Sequence, residues 1–372
     1  MNGGRRRARD LGITIGRLPT GPHNAITDVV GVAVGHETIV SGDGPLVVGW
    51  GPVRTGVTVV CPHCDGSMTS DPVYAGYHQL NGNGEMTGIA WINEAGLLTS
   101  PVAITNTHSV GVVRDALIAQ DIEHNPPDAD EMSWGLPVVG ETYDGWLNDI
   151  NGFHVRPEHL YAALDAATGG PVAEGNVGGG TGMNCHEFKG GIGTSSRVVS
   201  APHGGWMVGV LVQANYGSRE DLRVDGVPVG REIGTDEVPT PWPAEPVEGS
   251  IIVVVATDAP LLPHECRRLA HRATIGIARA GGHGSNSSGD LFLCFSTANR
   301  NLSVGAVFEP VGVRTLMPGA LTPLFAAVAE ATEEAIVNAL CMAETMVGAA
   351  GRTSHAIPLD RLVEVMAMYG RR

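Results

Sequence analysis

Ser250 is the residue of this chain whose setting points most directly to covalent chemistry. It follows Gly249 and begins the β-branched run "SIIVVVATDA". A serine hydroxyl can attack the carbonyl of the peptide bond before it, and water can then hydrolyse the resulting ester. Glycine suits position 249, because a residue without a Cβ tolerates the distorted backbone that this attack requires. We therefore predict self-cleavage of the Gly249–Ser250 bond.

Cleavage would give Ser250 a free α-amine. The unperturbed pKa of such an amine is about 7.7–8.0, so much of it can be a neutral base near physiological pH. The nucleophile then carries its own base, as in N-terminal-nucleophile enzymes. Three further Gly-Ser pairs begin at Gly66, Gly217 and Gly284. None of them opens a continuous β-branched run, and such pairs are typical of turns.

Other common catalytic and metal-binding motifs are missing. The sequence has no G-x-S-x-G, no H-E-x-x-H and no P-loop. Cys61-Pro62-His63-Cys64 has the spacing of thiol oxidoreductases and of half a zinc site. However, turn-forming residues follow it, and no second pair of ligands exists. We interpret Cys61 and Cys64 as structural, and we expect no metal and no cofactor.

A glycine-rich segment, "GNVGGGTGMNCHEFKGGIGTSSR", carries eight glycines between Gly175 and Gly193. It forms either an anion-binding loop or a tightly turning wall of an active site. The segment also contains Lys189, the single lysine of a chain that has 22 arginines. Either the site needs a compact or titratable ammonium there, or Lys189 is a chance survivor on a loop.

Composition and charge indicate which class of protein this is and which partners are disfavoured. The 372 residues are 43% hydrophobic and 17% charged, as in soluble globular proteins. A net charge of -16 argues against nucleic acid or an anionic membrane as the main partner. The basic start "MNGGRRRARDLGITIG" is not followed by the apolar region of a secretory signal, and no stretch is long enough to span a bilayer. We therefore predict a cytoplasmic protein with a small-molecule substrate.

Strands and helices are expected in alternating blocks. The predicted strands lie in "ITDVVGVAVGHETIV", "GVTVVC", "TGIAWINEAGLLT", "PVAITNT", "RVVSA", "GWMVGVLVQAN", "SIIVVVA" and "DLFLCFSTA". The predicted helices are "SVGVVRDALIAQDI", with Ser109 as a possible N-cap, "RPEHLYAALDAATGG", "PHECRRLAHRATIGIARAGG", "LTPLFAAVAEATEEAIVNALCMAETM" and "DRLVEVMAMYG". This order indicates sheets that pack together and are flanked by helix layers. The Pro-rich "EVPTPWPAEPVEG" predicts an exposed linker that ends at Gly249.

Ordered blocks over nearly the whole chain carry a resemblance to one family. They are "DLGITIG", "NAITDVVGVAVGH", "GEMTGIAWINEAGLLTSPVAITNTHSVG", "VVGETYDGWLND", "EGNVGGGTGMNCHEFKGGIGTSSR", "VLVQANYG", "EGSIIVVVATDAPL" and "GSNSSGDLFLCFSTAN". The chain resembles the self-processing serine aminopeptidases of the L-aminopeptidase D-amidase/D-esterase type, with their β-aminopeptidase relatives. The resemblance implies a four-layer α/β/β/α sandwich, similar in layers to N-terminal-nucleophile hydrolases but differently connected. It also implies a single domain, 1–372, cleaved into 1–249 and 250–372, and a tetramer of cleaved protomers.

The same resemblance assigns roles around the cleavage site. Ser250 would be the nucleophile that forms the acyl-enzyme. Ser288 and Asp290 of "SNSSGD" would form a hydrogen-bonded relay beside it, in which Ser288 orients or relays the proton and Asp290 holds Ser288.

The resemblance also implies how the substrate is held. Asn215 of "ANYG" would donate its side-chain amide to the oxyanion, and Tyr143 of "ETYDG" would be a further hydrogen-bond donor. Glu141 would receive the free ammonium group of the substrate. A buried carboxylate makes the activity an aminopeptidase, because a blocked amine would leave that charge unpaired.

The implied activity is release of N-terminal residues from peptides, amides and esters that have a free amine. The sequence leaves the preference among small L-residues, D-alanine amides or esters and β-amino acids open. Two other functions also stay open. An N-acyltransferase similar to ornithine acetyltransferase would have threonine as its nucleophile, and serine at 250 counts against it. A non-catalytic binding protein of the same fold would stay an uncut chain.

Overall fold

The computed structural model describes residues 4–64, 68–126, 134–242, 249–302 and 309–371. Residues 243–248 of the predicted exposed linker therefore lie outside the described residues. The strands are β1 (Ala33–Ser41), β2 (Val53–Cys61), β3 (Val73–Gly82), β4 (Leu97–Leu98), β5 (Val102–Asn106), β6 (Val138–Thr142), β7 (Asn184–Cys185), β8 (Phe188–Lys189), β9 (Gly191–Val198), β10 (Met207–Asn215), β11 (Ser250–Thr257), β12 (Gly289–Ser296), β13 (Met346–Val347) and β14 (Thr353–Ser354). The α-helices are α1 (Ile89–Ala95), α2 (Val110–His124), α3 (Pro157–Asp165), α4 (Val229–Glu232), α5 (Pro263–Arg279), α6 (Leu321–Met342) and α7 (Leu359–Met368).

Two mixed sheets form the centre of the fold. The smaller sheet has the strand order β1-β2-β5-β6, and the larger has the order β4-β3-β12-β11-β10-β9. The pairs β5–β6 and β11–β12 are parallel, while the other pairs in these two sheets are antiparallel. Strand β11 lies inside the larger sheet, and all eight of its residues are buried. This explains its continuous apolar run, since a strand that is covered on both faces has no polar alternation.

The sheets pack face to face and each carries helices on its outer side. The layer between them includes Ile104 and Val138 of the smaller sheet with Leu211 and Ile252 of the larger. Helices α2 and α3 cover the smaller sheet, and α5 and α6 cover the larger. The four-layer α/β/β/α sandwich expected from the sequence is confirmed.

One local prediction was wrong in detail, and a second was confirmed in position but without its hydrogen bond. The segment "TGIAWINEAGLLT" forms helix α1 and only the two-residue strand β4. Gly88 and Gly96 bound this helix, and both have a positive φ, of 75° and 71°. The Gly96 N–H caps the C-terminus of the helix by donating to the Ile92 carbonyl. Ser109 lies at the N-cap position of α2, but its side chain makes no capping hydrogen bond. The sequence analysis also omitted β3 and β6, both of which matter for the site.

None of the helices in the ranges given above has the length and apolarity that crossing a membrane requires.

Candidate active site

The register of three strands brings Ser250 together with two of its predicted partners. Ser250 is the first residue of β11 and lies opposite Asn215, the last residue of antiparallel β10. On its other side, β12 runs parallel to β11 and pairs Asp290 with Ile251. Parallel neighbours start at the same edge of a sheet. Asn215 and Asp290 are therefore on either side of Ser250 at that edge.

The bond before Ser250 lies against β10, where there is no room for a side chain. The Ser250 residue is 7% exposed, and its Oγ accepts a hydrogen bond of 3.1 Å from the backbone N–H of Gly289. A Cβ on Gly249 would lie 1.6 Å from the carbonyl oxygen of Asn215. Glycine is thus the residue that fits directly before Ser250.

Ser288 and Asp290 form a buried hydrogen-bonded pair close to this hydroxyl. Ser288 Oγ donates to Asp290 Oδ1 at 2.7 Å, and Asn81 Nδ2 donates to Asp290 Oδ2 at 3.1 Å. Burial raises the pKa of Asp290, and these two hydrogen bonds oppose the rise. The hydroxyls of Ser288 and Ser250 do not bond to each other directly. Ser288 is thus held by Asp290, and the neighbouring Gly289 N–H makes the contact with Ser250.

The sequence analysis missed Asn81. This residue lies on β3, which pairs with β12 and sets Asn81 opposite Asp290. Its Nδ2 also donates to the carbonyl of Ser285 at 3.0 Å, which ties β3 to the loop before Ser288. The local sequence "QLNGNG" is typical of a turn, so only the pairing of two strands that are far apart in the chain reveals this contact.

Both ends of the Asn215 side-chain amide are held in place. Its Oδ1 accepts a hydrogen bond of 2.8 Å from the backbone N–H of Asn184, and its Nδ2 donates to the carbonyl of Tyr143 at 3.0 Å. An amide nitrogen carries two hydrogens, so one of them has no partner among the residues that the structure describes. A fixed side chain opposite Ser250 therefore keeps one unused N–H donor.

Tyr143 follows the end of β6 and joins the two sheets at the edge where Ser250 lies. Its carbonyl accepts the hydrogen bond from Asn215. The residue is 46% exposed, and its hydroxyl makes no hydrogen bond within the described parts of the chain. A Cβ on Gly145 would lie 2.4 Å from the hydroxyl oxygen, so the side chain lies over that glycine. The Tyr143 hydroxyl is available to a ligand.

Glu141 is a buried carboxylate on β6 whose two oxygens accept neutral donors. Oε1 accepts from the backbone N–H of Glu85 at 2.9 Å, and Oε2 accepts from the hydroxyl of Thr107. Burial raises the pKa of Glu141, while the Thr107 hydrogen bond opposes the rise. No basic side chain within the described ranges forms an ion pair with Glu141. Such a carboxylate is a candidate partner for a cationic ligand.

Gly84 connects this carboxylate to the nucleophile. A Cβ on Gly84 would lie 3.2 Å from Glu141 Oε1 and 3.2 Å from the Cα of Gly289, whose N–H bonds Ser250 Oγ. Glu141 and the Gly289 backbone thus both lie next to Gly84. Ser250, Asn215, Ser288 and Asp290 lie at one end of the larger sheet, and Glu141 and Tyr143 lie at the end of β6, which contacts β11.

The glycine-rich segment is a packed wall of this site, not an anion-binding loop. Gly178–Gly180 forms a 3₁₀ turn that contacts strands of both sheets. The backbone N–H groups of Gly178 and Gly179 donate to the hydroxyls of Thr38 and Thr58, at 2.8 and 3.1 Å. These backbone donors already have partners, so the glycines serve close packing.

Lys189 is fully buried in this wall and binds backbone carbonyls. Its Nζ donates to the carbonyls of Met183 and Gly190, both at 2.7 Å, and lies 3.4 Å from that of Gly180. Met183 precedes Asn184, whose N–H holds the side-chain amide opposite the nucleophile. Burial lowers the pKa of Lys189 to about 7. These contacts favour the interpretation that the ammonium is needed here over a chance survivor on a loop.

The lowered pKa of Lys189 predicts a pH dependence of stability. Between about pH 7 and the ordinary lysine pKa of 10.5, the unfolded chain holds a proton that the folded chain lacks. The free energy of unfolding should therefore rise with pH in that window, by on the order of 1 kcal/mol per pH unit. Lys189→Met should lack this rise. Urea unfolding from pH 7 to 10, with both proteins carrying Ser250→Ala so that they stay one chain, measures the difference, and parallel curves would contradict the prediction.

The thiols and acidic groups show no arrangement for a metal. Cys61 is buried at the end of β2 and Cys64 is exposed, and neither forms a disulfide within the described residues. Within the described residues, no cluster of three or more His, Cys, Asp or Glu side chains could hold a metal ion.

Comparisons with known proteins place this geometry in a family. The family model for Peptidase family S58 matches residues 24–354. The beta-peptidyl aminopeptidase BapA of Sphingosinicella microcystinivorans is 51% identical over 376 residues, which cover 98% of this chain and 93% of that protein. Among solved structures, a beta-aminopeptidase of Burkholderia sp. matches with a TM-score of 0.90 and 52% identity, covering 99% of this chain and 100% of that one.

A second solved structure links the fold to its class. The L-aminopeptidase D-Ala-esterase/amidase of Ochrobactrum anthropi matches with a TM-score of 0.90 and 46% identity, over 98% of this chain and 99% of that one. It is described as a prototype of the serine aminopeptidases and a new variant of the Ntn hydrolase fold. The resemblance inferred from the sequence is thereby confirmed. The chain belongs to Peptidase family S58, and it is a hydrolase of the aminopeptidase type.

Proposed function

We propose that the chain is a self-processing serine aminopeptidase whose nucleophile is Ser250. The observation that carries the proposal is the contact of Gly249 with β10, which leaves the Gly249–Ser250 bond beside the Asn215 amide. That amide is fixed at both ends and keeps one N–H donor free. A preplaced donor of this kind stabilises the negative oxygen of a tetrahedral intermediate without having to reorganise.

Maturation proceeds through an ester. Ser250 Oγ attacks the Gly249 carbonyl carbon, the C–N bond between the two residues breaks, and the nitrogen leaves as the α-amine with the hydroxyl proton. Water then hydrolyses the ester, which gives a carboxylate at Gly249 and restores the hydroxyl. The product has Ser250 as a new N-terminus.

Substrate turnover repeats this chemistry with an external carbonyl. The α-amine of Ser250 accepts the proton of Oγ as the acyl-enzyme forms, and it returns the proton to the leaving amine. The Asn215 amide and the Tyr143 hydroxyl donate to the oxyanion. Ser288, held by Asp290, positions the groups around the nucleophile, and water completes the cycle.

Glu141 gives the enzyme its need for a free amine in the substrate. Its carboxylate is buried and forms no ion pair with a basic side chain of the described residues, and a substrate ammonium supplies that charge. For the acyl side we propose N-terminal β-amino acid residues together with small L-residues. Support comes from the relatives at 51% and 52% identity, which are named as a beta-peptidyl aminopeptidase and a beta-aminopeptidase.

Glu141→Gln tests this role. The amide keeps the size of the side chain and an acceptor for the Glu85 N–H, so the variant should fold and self-cleave. It should lose roughly 10–100-fold in kcat/KM, because one charge-assisted contact is gone. The wild type should cleave an N-acetylated substrate poorly. Glu85→Gln is the matched control, since its exposed side chain can change without loss of the backbone N–H. Equal turnover of free and acetylated substrates would remove Glu141 from this role.

A denaturing gel with intact masses tests the function as a whole. Purified protein should give two fragments, 1–249 and 250–372, and it should release p-nitroaniline from alanine and β-alanine p-nitroanilides. An intact chain that releases nothing would favour a binding protein instead. Transfer of the acyl group to an amino acid in preference to water would favour an acyltransferase.

We also propose that the cleaved protomers form a homotetramer in the cytoplasm. Four exposed apolar residues of one segment support assembly: Leu46, Val47, Val48 and Trp50, of which Trp50 is 84% exposed. Light scattering should give about four times the mass of 38.7 kDa. Fractionation of the source cells tests the location.

A further inference from the structure

A cavity of about 390 Å³ borders the Gly249–Ser250 bond and contains one charged side chain. Gly249, Asn215 and Tyr143 form part of its wall, and Trp146 and Arg352 line it further out. No Asp or Glu is present among the residues that line it in the described ranges. The cavity therefore joins the proposed oxyanion donors to a lone guanidinium.

Arg352 is held in place but not neutralised. Its guanidinium carbon lies 4.3 Å from the centre of the Trp146 ring, and Nη1 donates to the Trp146 carbonyl at 3.2 Å. Nε and Nη2 have no hydrogen bond, and no carboxylate pairs with Arg352, within the parts of the chain that the structure describes. A stacked guanidinium keeps its plane fixed, and its free N–H groups match a carboxylate.

Tyr143 adds a second donor to this wall, because its hydroxyl makes no hydrogen bond to the described residues. The indole rings of Trp146 and Trp242 pack edge to face, with their centres 5.6 Å apart, and their N–H groups are buried. The wall therefore offers one hydroxyl donor and one positive charge, which suits an anionic acceptor.

The position of the Arg352 guanidinium relative to the Glu141 carboxylate indicates the class of ligand. The cavity reaches Gly249 and Asn215 on the β10 side of Ser250, whereas Glu141 lies close to Gly84, which contacts Gly289 on the β12 side. A carboxylate and a guanidinium thus lie on opposite sides of the nucleophile. A short peptide has the complementary pattern, with an ammonium at one end and a carboxylate at the other.

We propose that Arg352 binds the C-terminal carboxylate of a short peptide substrate, so that the site prefers zwitterionic dipeptides. The inference rests on the proposed function and names its substrate class. Glu141 holds the ammonium, Ser250 attacks the carbonyl between the two residues, and Arg352 holds the leaving amino acid by its carboxylate.

Paired substrates test the proposal on matured enzyme. We expect the wild type to hydrolyse alanyl-alanine and β-alanyl-alanine with a kcat/KM roughly 10–100-fold above that for the corresponding C-terminal amides. Arg352→Gln should abolish this preference and leave turnover of the p-nitroanilides nearly unchanged. Arg352→Lys should keep part of the preference, and it serves as the second variant if glutamine disturbs folding. Arg272→Gln is the matched control, because Arg272 also lies over a ring, 4.0 Å from the centre of Phe325, but on α5.

The outcomes separate this proposal from the proposed function. No release from any substrate, p-nitroanilides included, would overturn both. Suppose that the wild type releases p-nitroaniline but hydrolyses the dipeptides and their C-terminal amides at equal rates. That result would overturn the role of Arg352 alone. So would an Arg352→Gln variant whose kcat/KM falls by the same factor for every substrate. Glutamyl and glutaminyl p-nitroanilides test the other source of a carboxylate. The wild type could instead prefer the glutamyl over the glutaminyl substrate, lose that preference in Arg352→Gln, and hydrolyse dipeptides and dipeptide amides equally fast. Arg352 would then bind a side-chain carboxylate of the substrate, which would overturn the C-terminal assignment.

Discussion

Ser250→Ala is expected to purify as one chain of 372 residues without aminopeptidase activity. The hydroxyl is the attacking atom for both the Gly249 carbonyl and the substrate, and alanine has no replacement for it. Loss of a catalytic nucleophile costs about 10⁶-fold in kcat in a well-studied serine protease. Here the α-amine base is lost as well, because the chain stays uncut. Intact mass and p-nitroanilide release on the same sample measure both effects.

Ser250→Cys is the control that keeps a nucleophile at the same position. It should still cleave itself, at an altered rate, since a thiolate can form the corresponding thioester. Ser250→Ala that is cut at the same bond without added protease would contradict the self-processing mechanism. So would a Ser250→Ala chain that stays uncut and keeps wild-type turnover.

Asn215→Ala is expected to fold, self-process slowly and, once cleaved, show a turnover deficit of roughly 10²–10³-fold with a smaller change in KM. One oxyanion donor is worth about 2.7–4 kcal/mol in the transition state. A surface turn residue would instead affect stability by about 0.5 kcal/mol and leave turnover intact. The cleavage half-time and the steady-state kinetics of the matured variant measure the two steps separately.

Asn215→Asp separates the donor from the scaffold role of this side chain. Aspartate keeps the acceptor for the Asn184 N–H and loses the Nδ2 donor. Its deficit should therefore be at least as large as that of alanine, and its charge adds repulsion at the oxyanion. If Asn215→Ala or Asn215→Asp matures at the normal rate and keeps wild-type turnover, the role of Asn215 is structural and not catalytic.

The patterns of strands and helices allowed packed sheets with flanking helix layers to be predicted, and the family resemblance implied the four-layer sandwich. The uninterrupted apolar run after Ser250 predicted a strand, and β11 is a strand that is buried along its whole length. The "TGIAWINEAGLLT" segment was harder, because its short apolar groups fit a strand as well as a helix. Gly88 and Gly96, which bound α1 in the left-handed conformation, are the signal in the sequence that favours a short helix here.

Candidate site residues could be inferred from the sequence where they are neighbours in the chain. They could not be inferred where only the pairing of distant strands brings them together. Gly249 and Ser250 are adjacent in the chain, so their reaction could be inferred directly. Asn81 and Arg352 contact the site from β3 and from the turn before β14, and no spacing links them to Ser250. Lys189 was noticeable as the single lysine, but its burial became evident only in the structure.

The order of strands in the larger sheet has a consequence for the stability of a protein cleaved before Ser250. Residues 250–372 supply β11 and β12, and residues 1–249 supply the strands on both sides of that pair. The cleavage proposed here would give a heterodimer whose halves are interleaved and could separate only by breaking ladders on two sides. Once denatured, these halves would face a bimolecular assembly that an intact precursor does not have to perform. The lifetime of a cleaved protein would then be set by its unfolding rate, a kinetic stability, and not by a folding equilibrium.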